Sequence, residues 1–292
     1  MSYCRIILLV YISKRSVKIL NWRDFVAGWA ASTMSTTLVY PVTKIISRQM
    51  LFGVYPHTAV FQMKKEGLKY LFRGILPQLY QRTLQTSIMF GIFEGSKSYM
   101  KTKYNISNRT SLLLAAALAG SCESILTPFE RVQILLIDPN NYYRFKNTCE
   151  TVNKIVRNNG LKEFYRGYTV ILVRNVANTC AYFFLKEELI PKELPFESAA
   201  VRTAIKFGAG ALIGAMVTTT TFPLNVVKIA SQRVIGGDNR SPWQVYRTIY
   251  KLRGRRFTRM YLGGYPNYLR ALLQWGLIQV TYDHLKPLLY EI

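Results

Sequence analysis

Three arginines and one glutamate interrupt stretches that otherwise lack charge, and their chemistry suits a charged solute. Each arginine is the only charged residue of an apolar stretch: Arg82 in 75–93, Arg174 in 168–185 and Arg270 in 265–282. Glu123 is the only charge in 112–128. An arginine fork matches phosphate oxygens in bidentate fashion, so converging arginines predict a phosphate-rich anion. The acid either neutralises an arginine or contacts a positive group of the ligand.

These arginines keep a constant distance from a glycine that recurs along the chain. The glycine ends an aromatic motif in three places: Phe72-Arg73-Gly74, Phe164-Tyr165-Arg166-Gly167 and Tyr261-Leu262-Gly263. Seven residues later come Gln81, Arg174 and Arg270; Arg82 directly follows the first, and Asn175 the second. Equal spacing predicts equivalent positions on three equivalent elements. The alternative for each arginine is a structural one, with hydrogen bonds to helix carbonyls or a side chain that reaches the membrane interface.

Three prolines define a second register. Five residues before Pro41, Pro128 and Pro223 come Thr36, Glu123 and Thr218; two residues after them come Thr43, Glu130 and Asn225. Positions seven apart share one face of a helix, so Glu123 and Glu130 point the same way. We therefore group Thr36 and Thr218 with Glu123 as candidate ligand-binding residues.

The two registers together predict three tandem repeats. The prolines are 87 and 95 residues apart, and the motif glycines 93 and 96. We divide the chain into an N-terminal extension (1–21) and repeats at 22–104, 105–195 and 196–292. The apolar run at 6–12 is too short to span a membrane and lacks a small-residue cleavage site.

Each repeat contains two long apolar stretches and one short amphipathic segment. The stretches 24–42, 110–128 and 204–223 before the prolines, and those after the glycines, are about long enough to cross the hydrocarbon core. Pro41, Pro128 and Pro223 should kink the first helix of each repeat. The segments 57–66, 146–158 and 241–252 have the pattern of surface helices. The predicted fold is an all-α membrane protein with six transmembrane helices.

The charge distribution favours a membrane protein over a nucleic-acid-binding one. The net charge is +24, from 39 basic and 15 acidic residues, which indicates a polyanionic partner. No nucleic-acid-binding motif accompanies it. The stretches 44–73, 129–166 and 224–262 hold 22 of the basic residues, whereas 186–203 holds four acids and three bases. Such asymmetry between alternate loops is typical of a polytopic membrane protein.

The repeated proline and aromatic-Arg-Gly motifs resemble those of the mitochondrial carrier family over nearly the whole chain. The resemblance implies a pseudo-threefold bundle of six helices around a central cavity, with three short matrix helices and gates that open alternately. It also implies the inner mitochondrial membrane, both termini toward the intermembrane space, and bound cardiolipin. Residues seven after each glycine would contact substrate. We expect a monomer with no cofactor, no metal and no enzymatic activity.

The resemblance also assigns gate residues, and the departures from its pattern are informative. At the matrix gate Thr43, Glu130 and Asn225 hold the acid positions, and Ile46, Gln133 and Lys228 the base positions. Only Glu130 and Lys228 can therefore form an ion pair there. The cytoplasmic gate is better preserved, with Glu94, Lys97, Glu187, Asp283 and Lys286.

This combination is similar to the branch of the family that carries NAD in animal mitochondria. NAD+ would be cargo and not a resident cofactor. Its pyrophosphate suits the arginines, and its cationic nicotinamide ring suits Glu123. The alternatives are another nucleotide-like anion, such as an adenine nucleotide or coenzyme A, and a carrier fold that acts only as a membrane scaffold.

Overall fold

The computed structural model describes residues 22–67, 70–104, 107–191, 199–237 and 240–291, and in these ranges the only regular elements are helices. The extension at 1–21 lies outside them. The first repeat contains a long helix α1 (Trp22–Phe52), a short helix α2 (Pro56–Glu66) and a long helix α3 (Ile75–Tyr104). Helix α1 continues through Pro41.

The second and third repeats have the same order, but their first helices are divided near the proline. The second repeat contains α4 (Asn108–Glu123), α5 (Thr127–Ile137), α6 (Thr148–Asn159) and α7 (Tyr168–Leu189). The third contains α8 (Ala199–Thr220), α9 (Phe222–Arg233), α10 (Pro242–Leu252) and α11 (Gly264–Glu291). A 3-10 turn, Ser124–Leu126, joins α4 to α5. Helices α8 and α9 meet at a bend of 60°.

The long helices form a closed ring in chain order. Contacts join α1 to α3, α3 to α4, α4 to α7, α7 to α8, and α8 to α11, and α11 returns to α1. A ring places the same helix position of each repeat around one axis. The observed order therefore agrees with a threefold repetition of one helical unit.

Helix length and composition identify only some of the predicted membrane spans. Among the described helices, the continuous stretch Asn108–Ile137 is long and apolar enough to span a bilayer. The bent pair Ala204–Thr220 and Phe222–Arg233 passes the same test if it counts as one span. The six-span topology therefore stays a prediction.

The recurring glycine has a conformational cause. Gly167 caps the start of α7 in the left-handed region, with φ of 76°. Gly74 and Gly263, at the same motif position, also have positive φ values. Glycine adopts this conformation without the steric penalty that a Cβ atom imposes. The motif therefore marks the turn from which the second long helix of each repeat begins.

Small residues bring α4 close to its neighbours. Ala115 and Ala119 are fully buried, and they pack with Phe93 and Phe183. A Cβ atom on Gly120 would lie 2.9 Å from the backbone of Asn175. Close backbone approach of this kind is typical of helix packing through small residues.

Arginines connect each repeat to the next at the end of the ring where α1, α5 and α9 terminate. Arg73 donates to the carbonyls of Tyr142 and Phe145 in the second repeat. Arg166 donates to the carbonyl of Gly237 in the third repeat, at 2.6 Å. The third aromatic motif has leucine at the arginine position, and Arg253 instead donates to the carbonyl of Met50 in the first repeat, at 2.7 Å. The three contacts form a cycle around the ring.

Candidate functional site

The three predicted arginines are linked by electrostatic interactions, and two of them, Arg82 and Arg174, also interact with the two acids. Arg174 on α7 lies 3.7 Å from Glu130 on α5. Arg82 on α3 interacts electrostatically with Glu123, Arg174 and Glu130. Arg270 on α11 interacts with Arg82. The ring thus brings side chains from all three repeats to one charged centre.

Neutral amides hold the guanidinium of Arg174. Its Nε donates to Oδ1 of Asn175 at 3.0 Å, and its Nη2 donates to the same oxygen. Its Nη1 donates to Oδ1 of Asn225 at 2.9 Å. Asn175 is 2% exposed and donates in turn to Ser124. These contacts orient the arginine, and the amides do not cancel its charge.

Arg270 has the same kind of surroundings. It donates to Oε1 of Gln274 and to Oδ1 of Asn267, both at 3.0 Å. Gln274 donates to the hydroxyl of Thr36 at 3.4 Å. Thr36 is therefore connected to Arg270 through the side-chain amide of Gln274.

Glu123 is 6% exposed and lies among polar and charged groups. Gln85 on α3 donates to Oε1 of Glu123. Arg174 and Arg82 both interact electrostatically with the Glu123 carboxylate. These contacts agree with the interpretation that Glu123 neutralises an arginine. Thr218, at the same register, donates only to backbone carbonyls of its own helix, Gly214 and Ala215.

Glu130 receives three partners at the matrix-gate position. The Nζ of Lys228 lies 3.2 Å from Oε2 of Glu130. The amide of Gln81 donates to Oε1 at 2.7 Å, and Arg174 lies near the same oxygen. Gln81, which we predicted to contact substrate, thus hydrogen-bonds the gate acid. This contact links the two predicted sites.

The remaining matrix-gate positions lack ion pairs in the described structure. Gln133 donates to Oε1 of Gln78 at 2.8 Å. Thr43 donates to the carbonyl of Val39 on its own helix. Ile46 is buried in an apolar cluster that includes Val226 of α9. Apolar packing therefore occupies the place that an ion pair between repeats one and three would take.

Two residues of the predicted cytoplasmic gate, Lys97 and Glu187, meet at the opposite end of α3 and α7. Lys97 lies 2.8 Å from Oε2 of Glu187, and Asn108 also donates to Glu187. One turn away, the rings of Phe93 and Phe183 stack with centroids 3.5 Å apart. The side chains of Glu94, Asp283 and Lys286 lie outside the described residues.

Our interpretation of the sequence overlooked a layer of amides. Gln85, Asn178 and Gln274 each lie eleven residues after the motif glycine. Two of them contact Glu123 and Arg270, and Asn178 accepts a hydrogen bond from Thr221 at 2.6 Å. The signal was present, because these residues lie one helical turn beyond the predicted positions and share their face.

A basic cavity of about 260 Å³ lies at the end of the ring where α9 terminates. It extends from the last residues of α1 to Gly167 at the start of α7 and to helix α10. Four arginines contribute to its wall: Arg166, Arg233, Arg240 and Arg253. Positive charge beside a helix amino terminus favours anions such as phosphate.

The charged centre contains no metal site among the described residues. No group of three or more His, Cys, Asp or Glu side chains there is arranged to hold an ion. The charged side chains described above pair with one another or with amides.

The chain is similar to known proteins over most of its length. The model of the family described as mitochondrial carrier protein matches residues 18–104, 107–191 and 200–292. The chain is 37% identical over 269 residues to the mitochondrial nicotinamide adenine dinucleotide transporter SLC25A51 of Mus musculus, covering 91% of this chain and 89% of that protein. It is 34% identical over 275 residues to the nicotinamide adenine dinucleotide transporter SLC25A52 of Homo sapiens, covering 94% and 92%. The probable mitochondrial 2-oxodicarboxylate carrier of Dictyostelium discoideum is 26% identical over 281 residues, with 92% and 91% covered.

Proposed function

Because the chain belongs to the mitochondrial carrier family, we propose that it transports NAD+ across the inner mitochondrial membrane into the matrix. The similarity to nicotinamide adenine dinucleotide transporters over most of the chain supports this substrate. The observation that carries the proposal is the charged centre, where neutral amides hold Arg174 and Arg270. Such arginines remain available to a phosphate group.

The charge balance of the centre suits a pyrophosphate. Its four bases are Arg82, Arg174, Arg270 and Lys228, and its two acids are Glu123 and Glu130. Four bases against two acids leave two positive charges. A dinucleotide pyrophosphate carries two negative charges, and charge-assisted arginine contacts are among the stronger hydrogen bonds in proteins. If Glu123 instead pairs with the cationic nicotinamide ring, three positive charges face the two negative charges of the pyrophosphate, and the attraction is stronger.

Transport would proceed by alternating access through six spans. The pair Glu130–Lys228 would close the matrix side, and Lys97–Glu187 the cytoplasmic side. A gate must be weak enough to reopen, which a small number of ion pairs favours. In this arrangement α2, α6 and α10 lie in the matrix, and both termini face the intermembrane space. The three units correspond to 22–104, 105–195 and 196–292, and the protein acts as a monomer.

The basic cavity at the start of α7 supports a lipid partner. Anionic lipid headgroups bind basic pockets between membrane helices on the matrix side. Cardiolipin carries two phosphates, and the cavity combines Arg166, Arg233 and Arg240 with the amino end of a helix. We therefore assign this cavity to cardiolipin.

Another nucleotide-like anion is the nearest alternative substrate. The arginines alone would also accept the phosphates of an adenine nucleotide or coenzyme A. Glu123 favours NAD+, because neither alternative offers a fixed cation. A scaffold without transport activity has less support, since charges at membrane depth are costly and are retained for function.

Uptake of labelled NAD+ into proteoliposomes tests the proposal. We expect uptake that excess unlabelled NAD+ abolishes and that ADP or coenzyme A inhibits weakly. Arg270→Ala should remove most of the uptake, whereas Arg157→Ala, an exposed arginine on α6, should not. Preferred uptake of ADP or coenzyme A would reject the substrate, and folded protein that transports none of the three would favour the scaffold.

A further inference from the structure

The acid position of the third proline motif holds Asn225, and its environment differs from that of a gate residue. The corresponding base position in the first repeat holds Ile46, which is buried in the apolar cluster with Val226. An acid at position 225 would have no base to pair with there. Loss of the acid therefore accompanies loss of its gate partner.

Asn225 instead reaches the charged centre. Its Oδ1 accepts from Nη1 of Arg174 at 2.9 Å, across the interface between α9 and α7. Asn175 accepts from Nε and Nη2 of the same guanidinium. Two amide oxygens thus contact all three guanidinium nitrogens and fix the plane of the group.

The neutrality of this second acceptor matters because Arg174 already lies near two carboxylates, those of Glu130 and Glu123. Glu130 lies 3.7 Å away, but Lys228 and Gln81 also bind that carboxylate. A carboxylate at position 225 would add a counter-ion in direct contact, because Oδ1 of Asn225 already lies 2.9 Å from Nη1 of Arg174. Opposite charges in direct contact reduce the attraction that the arginine exerts on a phosphate.

We propose that Asn225 is a positioning residue of the substrate site, which orients Arg174 toward the substrate pyrophosphate without neutralising it. This inference rests on the proposed function and names how that site recognises an anion. It has an unusual consequence. Replacing Asn225 with the acid typical of the family motif should weaken substrate binding and should not strengthen the gate.

The test is Asn225→Asp, which keeps the shape of the side chain and changes only its charge. Binding is measured as the ligand-induced rise in Tm of the purified carrier, with inorganic pyrophosphate and with NAD+. Transport of NAD+ gives KM and kcat separately. We expect about tenfold weaker binding of both ligands and a tenfold higher KM, as for loss of one charge-assisted contact. The kcat should change less than twofold.

A matched control is Asn147→Asp, the same chemical change at the start of α6. Asn147 caps that helix by accepting from the backbone N–H of Glu150, and aspartate caps equally well. This variant should bind both ligands with wild-type affinity. Its result separates the effect on Arg174 from a general effect of one added negative charge.

The possible outcomes separate this inference from the choice of substrate. Unchanged binding with a lower kcat in Asn225→Asp would overturn it and return Asn225 to the gate. If the wild-type protein binds pyrophosphate but not NAD+, NAD+ is not the substrate. The effect of Asn225→Asp on pyrophosphate binding would still test the positioning role of Asn225. Wild-type protein that binds neither ligand would overturn the anion site and this inference together.

Discussion

At the scale of single residues, Glu123 carries the most information about the substrate. It is buried, hydrogen-bonded by Gln85 and close to two arginines. An unpaired carboxylate in that place would be too costly to keep its charge, so its partners determine its role. Two roles remain open: direct contact with the nicotinamide ring, or action through the arginines.

We expect Glu123→Gln to weaken the binding of NAD+ more than the binding of NADH, whose nicotinamide ring carries no charge. Loss of a charge-assisted contact costs about 1–3 kcal/mol, or roughly tenfold to a hundredfold in affinity. Glutamine can still accept the hydrogen bond from Gln85, so the local packing should survive. Competition of NAD+ and NADH against labelled NAD+ measures the difference. Equal changes for the two ligands would show that Glu123 acts only through Arg174 and Arg82.

The pair Glu130–Lys228 gives a second prediction at this scale, because its two members are not equivalent. Glu130→Gln would remove the carboxylate that Lys228 and Arg174 share and leave them near only the more distant charge of Glu123. Lys228→Gln would leave Glu130 with Arg174 and Gln81. Burying an uncompensated charge costs about 3–5 kcal/mol, so Glu130→Gln should lower both Tm and uptake more than Lys228→Gln.

The charge swap at these two positions should restore only part of the uptake. A lysine at position 130 would pair with a glutamate at 228 but would also lie beside Arg174. Thermal unfolding and initial uptake rates of the two single variants and the swap provide the measurement. Equal losses in both single variants would indicate that Arg174 does not share the Glu130 carboxylate.

At the scale of the helices, the contact between α4 and α7 positions the site. Gly120 on α4 lies against the backbone of Asn175, the residue after Arg174. Gly120→Ala would place a Cβ atom 2.9 Å from that backbone, so the helices must separate. Overpacking of this kind costs about 1–3 kcal/mol. We expect a lower Tm and weaker substrate binding, because the shift also moves Arg174.

Gly91→Ala is the matched control for this prediction. Gly91 lies within α3, and no atom comes within 4 Å of its ideal Cβ position. Replacing a flexible glycine in a helix interior stabilises the folded protein by up to about 1 kcal/mol, so Tm should stay the same or rise. A similar loss in both variants would place the cause outside the α4–α7 interface.

At the scale of the whole molecule, three arginines close the cycle of repeats. The third aromatic motif has Leu262 where the other two have an arginine, and Arg253 makes the equivalent contact between repeats. It donates to the backbone carbonyls of Gln49 and Met50 near the end of α1. Burial lowers the pKa of its guanidinium from the usual value. The contact joins the last repeat to the first, which no local sequence signal specifies.

We expect Arg253→Ala to destabilise the whole bundle. Loss of charged hydrogen bonds to buried carbonyls costs about 2 kcal/mol, which lowers Tm by a few degrees. The exposed Arg256→Ala is the control and should leave Tm within about 1 °C, as surface substitutions do. Thermal unfolding in detergent measures both. An unchanged Tm in Arg253→Ala would show that the ring does not depend on this contact.

The sequence alone determined the repeat and the helix order. These follow from spacing along one chain, because a helix converts a distance of seven residues into a shared face. The same logic placed Arg174 and Arg270 in one register. The resemblance to the carrier family, and not the spacing, implied Glu130 and Lys228 as the possible matrix ion pair, and the two side chains are 3.2 Å apart.

Only the tertiary structure decided which side chains meet across helix interfaces. Asn225 binds Arg174 although 51 residues separate them, and Arg253 binds Met50 across 203 residues. Such contacts depend on the rotation and close approach of neighbouring helices, which the small side chains at positions such as Gly120 set. Periodicity shows which face a residue occupies, but not which residue of another helix faces it. The sequence therefore placed Asn225 at the matrix gate but could not predict its contact with Arg174, and it assigned no role to Arg253.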